Sequence, residues 1–400
     1  MNIIMISYWS CPLARLGVLA AGGMNVYVLN LVNTLGKLGH RIDIYTRVHK
    51  EEDEKVLVLH ENVRIIHLKT SKADHYRDVK YYSERLLDYI KRNQLSYNVL
   101  HSHYFYSGLI GDKLSSGLSL PHLYTFHTLG LVKRLYGGIN DPKRIQAERL
   151  IIDKISAIIA STELEKDDLI RKYKVNSKKI FVVSPGVNHF LFKNRGSQYS
   201  RDKLNLPQDK KIILFVGRID PIKGISFLIE AIGKLTQKYP SFENNYRVLL
   251  IGGDLQSRHF WQNKEVKKIQ YLIAEKNLEC CIKFIGSRPH TLLPYYYCAA
   301  DIVVMPSVYE SFGLVVLEAM ACGSCILASR VGGLKYLIKD KLNGRLFDSG
   351  NIEQLGRIIW ELLNDKQQRI KLGQRALNAS QEFCWDKQAK KILDVYKCFL

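Results

Sequence analysis

No apolar run in this sequence of 400 residues approaches the ~18–20 residues that a bilayer-spanning helix needs, so a membrane-embedded protein is not expected. Zinc-finger spacing is missing, and so is an aromatic-rich RNA-binding stretch, which argues against nucleic acid as a partner. The start, MNIIMIS, has no positively charged leader and runs straight into a strand-like pattern; a secretory signal is not expected, and the chain is placed in the cytoplasm. Eight cysteines include one CxxC, Cys322 and Cys325, with no second copy and a glycine between them, so they read as reduced structural thiols rather than a disulfide framework or redox centre. Acidic residues are scarce: 38 against 59 lysines and arginines, a formal charge of +21 spread over both halves of the chain. That balance fits an anionic small molecule or an anionic membrane surface.

What is present is a repeated strand–loop–helix theme. Residues 2–7 form an apolar strand, Gly22 and Gly23 open a helix over 24–38, Gly39 ends it, and residues 41–45 are the next strand. The glycine pair fits neither GxGxxG nor the phosphate loop that ends in Gly-Lys, so dinucleotide and Walker readings lose ground. It lets a backbone approach a ligand closely, although any tight strand-to-helix turn would also use it. Residues 120–126 are a strand ending at His127, the place where ligands bind in open α/β sheets; a satisfied core histidine is the other reading. His101 and His103 lack a third ligand at useful spacing, and no metal site is expected. Residues 187–209 are polar and weakly periodic and read as a linker. A second domain opens with KIILFVGRIDPIKG, where Arg218 and Lys223 flank Pro221 at a strand's carboxyl end. Two cations beside Gly217 and Gly224 form an anion clamp, each charge-assisted bond contributing about 1.5–3 kcal/mol; a solvated basic turn is the alternative.

The stretch from Asp301 to Gly333 carries two acids of interest. Glu310 precedes a helix starting near Gly313, and Glu318 lies inside LVVLEAMA, a helix apolar on nearly every face. A carboxylate there carries a penalty of roughly several kcal/mol unless something pairs with it. The vicinal diol of a ribose would supply two donors, while the N–H groups at the Gly313 helix start suit phosphate oxygens. A bridge within the core is the competing account of Glu318.

The string E-S-F-G-L-x-x-x-E-A-M-A-x-G resembles the paired-acid motif of the retaining glycosyltransferases of family 4. So do G-R-x-x-x-x-K-G at residues 217–224, T-F-H-T-L at 125–129 and Arg288-Pro289. PLARLGVLAAGGMNVYV resembles the branch containing sucrose-phosphate synthases and inositol-phosphate N-acetylglucosaminyltransferases, departing from it at Ala20 and Ala21. The resemblance implies two doubly wound α/β Rossmann-like domains of GT-B type facing across a cleft. Residues 1–188 would bind the acceptor and 189–384 the nucleotide sugar, with a last helix, 385–400, crossing back to the first domain. It implies transfer of a hexosyl group from a UDP-sugar donor to an anionic acceptor, a phosphorylated sugar or polyol, with retention and without a metal or other cofactor. Catalytic roles fall to His127, Arg218, Lys223 and Glu310. Donor contacts fall to Gly22, Gly23, Arg218, Lys223, Arg288, Glu310, Phe312, Gly313, Leu314 and Glu318. Acceptor contacts fall to Asn25, Tyr104, Thr128 and Arg144, with a cation from Arg77 to Lys80 completing the phosphate site. Two other readings stay open: a peripheral membrane glycosyltransferase acting on a lipid-linked or glycan acceptor, which the charge favours, and a non-catalytic nucleotide-sugar binder. A homodimer is also left open.

Overall fold

Buried parallel strands read as near-continuous apolar runs, and β1 (Asn2–Ile6, NIIMI) is such a run at the centre of the first sheet. The computed structural model describes residues 1–14, 16, 21–48, 55–71, 74–137, 140–240 and 245–400; the part of the glycine-loop resemblance that falls on residues 15 and 17–20 lies outside them. The chain divides into two compact units, one of residues 1–14, 23–186 and 385–400, the other of residues 187–384 with residues 16, 21 and 22.

In the first unit, β1 is joined by β2 (Arg41–Arg47), β3 (Lys55–His60), β4 (Val63–Leu68), β5 (Val99–His103), β6 (His122–Thr125), β7 (Ala157–Ala160) and β8 (Ile180–Val182). They form an eight-stranded sheet in the order β3-β4-β2-β1-β5-β6-β7-β8, parallel except for the β3–β4 hairpin at one edge. Strand order reverses between β1 and β5, so the loops at their carboxyl ends diverge and leave a crevice. The helix Gly23–Lys37 follows β1, and Gly39 after it takes φ 83°, the left-handed conformation that ends helices. The last helix, Trp385–Lys397, belongs to this unit: Trp385 meets the Tyr27 ring edge-on at 5.3 Å, and Tyr396 Oη lies 2.7 Å from His101 Nδ1.

The second unit has β9 (Lys211–Val216), β10 (Tyr246–Ile251), β11 (Ile282–Phe284), β12 (Ile302–Met305), β13 (Ile326–Ser329) and β14 (Arg345–Phe347), all parallel, in the order β11-β10-β9-β12-β13-β14. Its reversal lies between β9 and β12. Residues 187–209 are not a linker. Phe192 is 1% exposed and packs on His290 and Tyr297, and Arg201, in the helix Ser197–Lys203, reaches Asp301 at 2.8 Å. The polar letters of this segment hide one buried ring and one buried cation. Among the described residues, no helix is long and apolar enough to cross a membrane.

Candidate active site

Neighbouring parallel strands release their loops side by side, so pairing of β9 with β12 brings together the loops that follow them. After β9 the chain makes a single turn, Pro221–Lys223, capped by the Asp220 side chain accepting from the Ile222 N–H. Gly224 closes the turn at φ 64°, and a Cβ there would sit 2.0 Å from the Pro306 carbonyl oxygen, so only glycine lets the two loops close. The Val308 N–H donates to the Ile222 carbonyl at 2.8 Å, and the Gly333 N–H to that of Glu310 at 2.9 Å. These ties set Lys223 opposite Glu310, and their side chains form a short ion pair, 16% and 15% exposed. Arg218 stands more openly at the loop's start, 3.7 Å from Asp220. Gly313, at φ 102°, begins the helix Leu314–Ala321, whose first N–H groups lack partners in the preceding turn.

Glu318 lies one turn inside that helix and is 5% exposed. Its Oε2 accepts from Tyr297 Oη at 2.9 Å, and its Oε1 is 2.7 Å from His290 Nε2. The expectation that a ligand must satisfy this acid is therefore corrected: the segment after Arg288 turns at Pro289, and two of its side chains do so. Burial works to lower the His290 pKa, but the Glu318 charge and hydrogen bond outweigh it and leave the ring above its ordinary value. The stability from this pair is fully present below the unfolded histidine value of about 6.5 and is lost as pH rises through the raised folded value. A diol taking Oε1 from the ring would leave burial unopposed and release the proton. Nucleotide affinity should then rise with pH across roughly 6 to 8, and His290→Gln should flatten that slope. Calorimetry of UDP binding in buffers of different ionisation enthalpy would read the proton directly; a pH-independent wild type would refute the exchange.

Other donor candidates are placed less uniformly. Arg288 is exposed, with its Nε 3.3 Å from Tyr296 Oη. Phe312 is 4% exposed and its ring packs on Tyr336 and Phe383. Leu314 is the first residue of its helix. Among the described residues a Cβ on Gly22 would meet nothing within 4 Å, and Gly23 opens its helix.

In the first unit, Tyr104 follows β5 at φ 72° and His127 follows β6 at φ 62°. Such backbone costs about 1–3 kcal/mol per residue and concentrates at functional sites. Arg144, on the helix Pro142–Lys154, joins the acceptor candidates. It donates from Nη2 to Thr128 Oγ1 at 2.9 Å and to the Thr128 carbonyl, from Nη1 to Tyr104 Oη at 3.3 Å, and from Nε to Glu148 at 2.7 Å. Glu148, fully buried, also accepts from the Gly130 N–H and Tyr173. His127 Nε2 lies 3.1 Å from His103 Nδ1, and desolvation pushes its pKa down to about 3. The ring is neutral at working pH, suited to orienting a group and a poor general base. His101 bonds Tyr396 and Thr125 through its two nitrogens.

Two acceptor expectations change. Asn25 is 1% exposed and donates to Ser10 Oγ and the Cys11 carbonyl, so its amide nitrogen holds the loop after β1. Of the cations from Arg77 to Lys80, both Arg77 and Lys80 are exposed, and Arg77 pairs with Asp74. The cation beside the acceptor candidates is Arg47 at the end of β2, which sequence reasoning missed: it lies over the Tyr8 and Trp9 rings, 3.4 Å from His75, with its Nε buried and without a hydrogen-bond partner among the described residues. Trp9 in turn lies 6.0 Å from the Tyr104 ring. Glu148 and His290 were also missed. The available signal for Trp9 and Arg47 was their position at the carboxyl ends of β1 and β2.

Comparison with known proteins matches residues 21–189 to a family model described as Glycosyltransferase Family 4 and residues 197–379 to one described as Glycosyl transferases group 1. A D-inositol 3-phosphate glycosyltransferase of Corynebacterium glutamicum (strain R) is 32% identical over 99% of this chain and 96% of its own. The sucrose-phosphate synthase of Thermosynechococcus elongatus superposes with a TM-score of 0.90 at 30% identity, covering 99% of this chain and 98% of that one. Anabaena HepE, solved with UDP and glucose, shares the fold with a TM-score of 0.79 at 19% identity, each chain fully covered. The two Rossmann-like sheets are thus those of the GT-B class of glycosyltransferases. Within that class, the chain belongs to glycosyltransferase family 4.

Proposed function

We propose that this glycosyltransferase moves a hexosyl group from a UDP-sugar to a phosphorylated polyol or sugar, with retention of anomeric configuration and without a metal. The observation that carries the donor half is the Lys223–Glu310 pair set beside the Gly313 helix start at the strand-order reversal of the second unit. Cleaving the bond from the anomeric carbon to phosphate leaves negative charge on the diphosphate; Arg218, Lys223 and the helix N–H groups would stabilise it. A diphosphate that engages Lys223 frees Glu310 to accept from the sugar's hydroxyls. His127 is assigned to orienting the transferred sugar, and Glu318 to the ribose by exchange with His290. The acceptor hydroxyl attacks from the leaving-group side and passes its proton to the departing diphosphate oxygen.

For the acceptor, Arg144, Tyr104 and Thr128 form a cationic, hydrogen-bonding cluster that suits phosphate, with Arg47 as a second cation beside it. The relatives named for inositol phosphate and sucrose phosphate support this choice over a lipid-linked acceptor. The test is release of UDP from UDP-glucose or UDP-N-acetylglucosamine on addition of inositol 3-phosphate or a hexose 6-phosphate. Release that depends on the acceptor, giving a phosphorylated glycoside, is expected; no transfer to any phosphorylated acceptor would overturn the reading.

A further inference from the structure

A second concentration of positive charge lies on the rim of the second unit away from Lys223 and Glu310. In a parallel sheet the carboxyl ends share one rim; Arg345 is the first residue of β14 and so lies at the other. A cavity of about 420 Å³ opens there, lined by Lys341, Arg345, Arg357, Lys371 and Arg375, with Glu361 as the one acid of its lining. Arg345 is only 8% exposed, and its Nε is buried without a hydrogen-bond partner. Asp340 stands 3.7 Å from that Nε, and Glu361 accepts from Arg345 Nη1 at 3.4 Å and Nη2 at 3.5 Å, both long, while it is also held by Arg357 at 2.7 Å. Two long bonds to a shared carboxylate compensate an enclosed guanidinium less than close charge-assisted pairing would. Lys371 and Arg375 stand four residues apart on the helix Lys366–Ser380, exposed and without an ion-pair partner among the described residues. Like charges at that spacing repel.

We propose that this pocket is an anion site, distinct from the one assigned to the donor diphosphate, taking a ligand that bears two or more phosphate groups. Five cations facing one carboxylate select for charge, and the lining offers no aromatic ring on which a base could stack. A soluble polyphosphorylated compound and a phosphorylated lipid headgroup share that chemistry.

Tripolyphosphate titrated calorimetrically into the full chain, with UDP present to occupy the donor loops, should bind at least ten-fold more weakly to Lys371→Glu/Arg375→Glu than to the wild type. Both side chains are exposed and outside the transfer machinery, so sugar transfer and Tm should be unchanged in the variant. Sedimentation with phosphatidylcholine vesicles, with and without phosphatidylinositol 4-phosphate, separates the sources. Vesicle binding lost in the variant assigns a headgroup, and tripolyphosphate binding without sedimentation assigns a soluble ligand. Equal responses of wild type and variant, or no response of the wild type to either probe, would overturn the proposal.

Discussion

Lys223→Met should lower kcat/KM for sugar transfer about 100- to 1,000-fold, the usual loss when a preorganised charge at a developing anion is removed. Methionine keeps the length of the stem and removes the ammonium, so packing against the loop is largely preserved. The variant also leaves Glu310 without its cation at a position only 15% exposed, and that carboxylate would then face the incoming diphosphate. Both effects weaken nucleotide binding, so UDP affinity should fall together with turnover. Glu310→Gln gives the opposite sign for binding. Removing the acid releases Lys223, so UDP should bind as tightly or more tightly while transfer falls, because the sugar loses its acceptor. The pair of variants separates the two roles: calorimetric UDP affinity moving in the same direction in both, or a fully active Lys223→Met enzyme, would dismiss the clamp.

The parts of this site that the sequence revealed are those built from short local patterns. β1 is a buried apolar run, the helix at Gly23 and the helix after Gly313 each open at a glycine, and the turn from Arg218 closes at Gly224; each formed where that local pattern placed it. Partner choice is a different matter. His290 and Glu318 are 28 residues apart, and Arg201 meets Asp301 across 100, so nothing in either local pattern announces the pair. This is why a buried acid read as awaiting a ligand while the chain had already supplied a histidine and a tyrosine. Two strands are hard to read from the sequence for another reason. β3 is an edge strand, largely exposed, and β14 is buried but only three residues long and begins with an arginine, so neither offers a long apolar run. Arg47 ends β2 and reads as a surface cation until the fold lays it over Trp9.

Arg144→Ala should both unfold more readily and bind acceptor poorly, and the two effects can be pulled apart. Arg144 and Glu148 are a buried pair, side chains 7% and 1% exposed. Removing one member of such a pair leaves an uncompensated charge and is expected to destabilise by about 3–5 kcal/mol. Glu148 would retain the Gly130 N–H and Tyr173, which places the loss toward the lower end. Arg144→Met/Glu148→Leu replaces both charges with apolar side chains of similar reach and should recover most of that stability, since buried ion pairs contribute little net against a well-packed apolar isostere. If the arginine served acceptor binding only through the stability and packing of this buried cluster, this double variant would regain acceptor binding along with its Tm. If the guanidinium meets the acceptor phosphate, acceptor KM should stay about ten- to a hundred-fold high, the value of a charge-assisted hydrogen bond, while donor KM is unchanged. Arg144→Lys discriminates further: it keeps the charge but cannot bridge Glu148, Tyr104 and Thr128 at once, so it should fall between wild type and the double variant in acceptor KM. Steady-state kinetics with donor and acceptor varied in turn, beside thermal melts of the same samples, decide the matter. Recovery of acceptor KM in the double variant would reduce Arg144 to a brace.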